Sequence, residues 1–167
     1  LKVPVLCMMI GEGGSGGEEM YYLSATSSGT TYYVGEYIIT ANSQYLSAVT
    51  NISDAIPLGI EDGKYLYTYI SGVKTYISHS TSGETTLASS TSNPKAWTIT
   101  DNGTTIKLQS TAQTTRYLGY RNGFRAYTDS YTLTKTTAIQ YNYTSSPACG
   151  PVIKGTNNIK VTSVNGA

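Results

Sequence analysis

From Tyr21 to about Tyr143 the chain is a succession of short runs of β-favouring residues, each closed after a few positions by a turn signal. That spacing restricts the fold more than any other feature. The candidate strands are "TYYVGEYIITA", "QYLSAV", "IPLGI", "KYLYTYI", "KTYISHS", "TTLAS", "AWTIT", "TTIKLQS", "RYLGYR", "GFRAYT" and "AIQYNYT". Between them stand "EDGK" at 61–64, "SGVK" at 71–74, "TSGE" at 81–84, "DNGT" at 101–104 and "RNGF" at 121–124. Asn-Gly and Asp-Gly suit two-residue hairpin turns, whose central positions both need positive φ. Runs rich in Ala, Leu and Glu, which helices prefer, are nearly absent. The expected class is all-β, with many short strands in a closed barrel or, alternatively, a sandwich, rather than an open sheet.

A repeat favours one barrel over the others. Tyr45, Tyr76 and Tyr117 stand 31 and 41 residues apart, and each precedes an aliphatic residue, Leu46, Ile77 or Leu118. A period near 40 with several strands per unit is the spacing of a three-lobed, β-trefoil-like barrel. In each lobe the aliphatic side chain is expected in the core and the Tyr at its rim, because a phenol has an apolar ring and a hydroxyl that needs a partner. The chain holds 16 Tyr against one Phe and one Trp, so such rims are its main aromatic resource.

The flanks read differently. Residues 1–20 combine a short apolar run, Val3 to Ile10, with the Gly-rich linker "GEGGSGG"; the run is too short to span a bilayer as a helix. It reads as a strand, a signal-peptide remnant or an engineered part, and the absence of an initiating Met marks a fragment or processed form. Residues 21–146 form the β domain, and 147–167, where Pro147 and Pro151 interrupt pairing, read as a junction to a following module. Cys7 and Cys149 either close one very long loop as a disulfide or stay free; the sequence does not choose.

A net charge of +1, with 13% charged residues scattered along the chain, gives no electrostatic footprint for nucleic acid. A surface rich in Tyr, Ser and Thr and poor in Lys and Glu points outside the cytoplasm. The sequons at Asn51, Asn102 and Asn142 arise easily by chance in such a composition.

From Gly35 to Tyr143 the chain resembles a β-rich module of secreted multidomain surface proteins of Bacteroidetes. The likeness is carried by "GEYIITANSQYL", "TYISHSTSGETTLASSTSNPKAWTIT", "DNGTTIKLQS" and "RYLGYRNGFRAYTDSYTLTKTTAIQYNY". The resemblance implies an extracellular or cell-surface accessory domain and carries over no activity or site residue.

Catalysis needs a nucleophile with a base, paired carboxylates or metal ligands. His79 is the one imidazole and is expected to be solvent-exposed beside a turn, and its neighbours Ser78 and Ser80 point to the opposite face of a strand. Glu61, Asp62 and Asp101 stand in turns, where local hydrogen bonding explains them. "GEGGSGG" lacks the Lys-Ser/Thr ending of a phosphate loop. No enzyme activity, cofactor or metal is expected. The functional expectation is a non-catalytic recognition or adhesion module that binds a glycan or another cell-surface ligand. Its candidate ligand residues are Tyr120, Arg121, Asn122 and Tyr127 around one hairpin, with Trp97 carried alongside although its place in "AWTIT" also suits a core position. The alternative is a self-associating pilus or fibre subunit, in which residues 1–10 insert as a strand into a neighbour.

Overall fold

In a computed structural model, which describes residues 18–79 and 84–138, the alternation of apolar and polar positions becomes twelve antiparallel strands. They are β1 (Met20–Ser27), β2 (Thr30–Ile39), β3 (Gln44–Val49), β4 (Leu58–Glu61), β5 (Tyr65–Ile70) and β6 (Val73–His79). After them come β7 (Leu87–Ser90), β8 (Trp97–Asp101), β9 (Thr105–Ser110), β10 (Tyr117–Tyr120), β11 (Phe124–Tyr127) and β12 (Leu133–Thr137). Among the described residues the only helical element is a single 3-10 turn, Ile52–Asp54, whose first free N–H groups are capped by the Asn51 side chain accepting from Ser53 N. No helix among them is long and apolar enough to cross a membrane.

All twelve strands belong to one large antiparallel sheet. The pairing runs β12-β9-β10-β11-β3-β2-β1-β4-β5-β6-β7, with β8 on β9 and a further ladder between β12 and β1. Strand β1 therefore pairs with β4 at Met20 and Tyr21, with β12 from Tyr21 to Ser24, and with β2 from Ser24 to Ser27. Period-two alternation delivers one side of this sheet to a single cluster that includes Leu23, Val34, Leu46, Leu66, Ile77, Leu108, Leu118 and Phe124. Leu46, Ile77 and Leu118 are fully buried and their neighbours Tyr45, Tyr76 and Tyr117 are half-buried, the division of labour expected of the Tyr-aliphatic steps. The three steps lie on β3, β6 and β10.

The turns obey backbone chemistry more selectively than the dipeptides imply. Ser28-Gly29, Asp62-Gly63 and Ser71-Gly72 have positive φ at both positions. At Asn102-Gly103 and Asn122-Gly123 only the glycine does. One irregularity sits inside a hairpin: Val34 opposes Ala48 and Tyr37 opposes Leu46, so β2 carries an extra residue, a β-bulge at Gly35-Glu36. A side chain at Gly35 would meet Ser47 Oγ at 2.5 Å, which is why glycine stands there.

Ten of the eleven expected runs contain strands. The eleventh, "AIQYNYT", lies almost wholly outside the described residues, as do the apolar run Val3–Ile10, the linker, Cys7, Cys149 and the boundary at 146.

Candidate functional site

The β10–β11 hairpin is built from the core outward. Leu118 faces Ala126 and Tyr120 faces Phe124, and burial of Leu118, Phe124 and Ala126 fixes which side chains point away. The turn Arg121-Asn122-Gly123 closes with Arg121 N donating to Gly123 O at 3.3 Å. Tyr127 staples it: its hydroxyl accepts from Asn122 N at 3.0 Å and donates to Gly123 O at 2.9 Å. The Tyr127 ring is buried and its hydroxyl is spent on the turn. Burial pushes its phenol, and that of Tyr120, above the ordinary value, keeping both neutral.

Tyr120 is half-buried. One face of its ring is stacked on Tyr32, with centroids 4.2 Å apart and planes within 14°, and Phe124 packs at 5.4 Å. What the hairpin presents to solvent is polar. The Arg121 side chain is 57% exposed, and its Nη2 forms an ion pair with Asp129, itself 64% exposed. Its Nε donates to the Tyr131 hydroxyl at 3.3 Å, and that hydroxyl donates to Asp129 Oδ2 at 3.5 Å. Asn122 is exposed at the tip. The Tyr131 ring lies flat on strand β10, because Gly119 leaves room: an added Cβ there would come within 2.2 Å of it. Arg121 also holds its guanidinium 5.2 Å from the Tyr127 centroid.

Of the five candidate ligand residues, then, four share this hairpin and Trp97 does not join them. Trp97 is 2% exposed, packed in the core, with its indole N–H donating to Ile77 O at 2.8 Å. A residue so enclosed offers no face to a sugar. Sequence reasoning missed Asp129 and Tyr131, although both stand in "YTDSY" directly after the hairpin, where a carboxylate and a phenol in a connecting loop were a legible signal.

His79 is also corrected: it is buried, not solvent-exposed. Its Nδ1 lies 2.6 Å from Ser110 Oγ and its Nε2 2.5 Å from Glu84 O. Ser110 Oγ already accepts from Ala112 N at 3.1 Å and Gln113 N at 3.0 Å, so its proton goes to Nδ1 and Nε2–H donates to the carbonyl. With Ser110 1% exposed, the pair is a structural pin without room for a substrate at the hydroxyl.

A second aromatic surface, on β4, β5 and β6, is occupied by the protein itself. Lys74 Nζ donates to Glu61 Oε1 at 2.6 Å while lying 4.1 Å from the Tyr67 centroid, and Tyr76 donates to Glu61 Oε2 at 2.7 Å. These bonds, that of Lys74 first, hold the Glu61 carboxyl below its usual range. Among the described residues no three His, Cys, Asp or Glu side chains gather to hold a metal ion. No protein-family model, curated protein or solved structure matches this chain.

Proposed function

We propose that this chain is an extracellular, non-catalytic recognition module of β-trefoil-like architecture that binds carbohydrate at the β10–β11 hairpin. The architectural half of the reading is supported by the pairing pattern. β1–β4, β4–β5, β8–β9, β9–β12 and β12–β1 are ladders, and Trp97 N donates to Lys64 O at 2.8 Å where β8 approaches β5. A path that returns to its own first strand favours a closed barrel over a sandwich. The hairpins β2–β3, β6–β7 and β10–β11 fall at matching places in three successive groups of four strands, and Leu58, Trp97 and Leu133, which open the last strand of each group, are all buried. Contacts between hairpins support a common cap: Phe124 opposes Leu46, Gln44 N donates to Thr86 Oγ1 at 2.8 Å, and Ala126 N donates to Thr85 O at 3.0 Å.

One observation carries the binding half: Arg121 is more than half exposed yet held in a fixed pose by Asp129 and Tyr131. Planar polar groups ordered beforehand on a rigid hairpin can meet the hydroxyls of a saccharide without a large ordering cost. The half-buried phenol ring of Tyr131 adds an apolar surface beside them. The test is a glycan array followed by calorimetry on the best ligand. Arg121→Ala and Asp129→Ala should each weaken binding by about tenfold, the cost of losing a charge-assisted hydrogen bond, with unchanged melting. An array without any ligand, or a ligand whose affinity ignores both substitutions, overturns the reading.

A further inference from the structure

The bulge in β2 has a chemical partner across the surface. Glu36, the exposed residue of the bulge, lines a groove of about 360 Å³ with Tyr37, Ile56, Tyr69, Ile70 and Ser71. That volume is at the lower end of the roughly 300–1,000 Å³ in which small-molecule sites fall. The walls come from three places: the bulge of β2, the segment before β4, and the tip of the β5–β6 hairpin, where Ser71-Gly72 turns the chain. They are apolar or aromatic apart from the carboxylate and the Ser71 hydroxyl. Ile70 and Tyr69 are each 37% exposed, so the hairpin tip holds apolar surface open to the groove rather than burying it.

The polar groups are unequal. The Tyr37 hydroxyl is committed, donating to Gln44 Oε1 at 2.6 Å, and burial pushes its pKa up to about 12, so that wall stays neutral. Glu36 has no ion pair or hydrogen bond among the described residues, whereas Glu61, Asp101 and Asp129 each hold a cation. Bulges commonly re-aim one side chain beside a functional site. Here Gly35 lets the bulge pack against Ser47, and the next residue, Glu36, lines the groove with its exposed side chain.

We propose that this groove binds a primary alkylammonium group, its short aliphatic stem lying between Ile56, Ile70 and Tyr69 and its ammonium pairing with Glu36. An apolar stem with a cationic head matches the walls and the mouth together, as lysine side chains do when they lie along apolar surface. An aromatic ring near the ammonium adds cation–π attraction. An anionic ligand meets like charge at Glu36, and a neutral one leaves the carboxylate unused. The site is separate from the β10–β11 hairpin in its residues, so its test does not depend on the glycan reading.

The experiment is a two-dimensional NMR titration of the full chain with butylammonium, with a blocked lysine (N-acetyl-lysine methylamide), and with butanol as the neutral control. Butylammonium or blocked lysine should shift the amides of residues 36–37 and 69–71 saturably, with butanol several-fold weaker. Shifts with both amines identify the alkylammonium alone as the determinant, and shifts with blocked lysine alone identify a lysine of a polypeptide. Glu36→Gln, at an exposed position that should leave the melting temperature unchanged, should weaken the amine about fivefold and leave butanol unaffected. Raising salt should weaken the amine in the same way. Equal binding of butanol and amine, amine affinity untouched in Glu36→Gln, or the absence of shifts with every amine overturns the proposal.

Discussion

The hydroxyl of Ser110 donates to Nδ1 of His79 across 2.6 Å, joining the end of β9 to the end of β6 through a neutral imidazole. Burial is the main cause that lowers the pKa of His79; the nearby Arg116 adds to it, and the bond to the Glu84 carbonyl opposes it. Protonation would set an N–H on Nδ1 against a hydroxyl whose lone pairs already accept from Ala112 and Gln113. The unfolded chain takes its proton near pH 6.5 and the folded chain only at lower pH, so the folded state binds fewer protons in between. Stability from this group is complete above about pH 6.5 and is lost as pH falls from there through the folded pKa. Thermal melts followed by circular dichroism should be level above about pH 7 and decline below about pH 6, with a shallower decline in His79→Gln. Glu61 and Asp101, both held below their ordinary values, act in the same direction but only in the carboxylate range. A wild-type melting temperature that stays level down to pH 5 contradicts the neutral assignment.

Gly119 and Tyr131 should behave as one unit. Gly119→Ala drives a Cβ into the Tyr131 ring and is expected to cost about 1–3 kcal/mol, as overpacking does. It also displaces the phenol that receives the Arg121 hydrogen bond. Tyr131→Ala made on top of it should restore part of the loss. Urea unfolding of the four proteins of this cycle checks the coupling, and strictly additive effects refute it.

Trp97, the one tryptophan, is both a core residue and a reporter. Trp97→Phe removes the donor to the Ile77 carbonyl and should cost about 1–3 kcal/mol; Trp97→Ala should cost about 3–5 kcal/mol. Native emission should be blue-shifted and should not change when a saccharide binds the β10–β11 hairpin. A ligand-induced shift with the fold intact means the residue is nearer the ligand than its burial allows.

Tyr127→Phe separates support from recognition. It deletes the hydroxyl that serves Asn122 N and Gly123 O, and should cost about 1–2 kcal/mol. Amide exchange at Asn122 should quicken while Arg121 and Asp129 keep their pairing. Unchanged exchange at Asn122 is the result that counts against the staple.

How far these features could be read in advance depended on how local their causes are. Hairpins were legible because Asp62-Gly63 and Ser71-Gly72 carry their geometry in two residues. Strand β12 was not, since Leu133 is its only buried side chain and its existence rests on partners β1 and β9, distant in sequence. The burial of Leu46, Ile77 and Leu118 was legible in the Tyr-aliphatic steps, while the strands they pair with were not, because those partners are set far along the chain. His79 was misjudged for a related reason: the partner that makes burial tolerable lies 31 residues away. At the hairpin, Tyr120, Arg121 and Asn122 were found together because one turn holds them, while Asp129 and Tyr131 enter through a loop that folds back onto β10.

The ladder between β1 and β12 has a mechanical meaning. Tyr21 opposes Thr137, Ser24 opposes Thr134, and Ala138 N donates to Met20 O at 2.8 Å, so the first and last strands among the described residues lie side by side. Tension applied at those two points pulls the antiparallel pair open from its end, one rung after another, rather than shearing all rungs at once. Parting in that order breaks fewer hydrogen bonds at a time than shear does, and the pair can re-form from the same end.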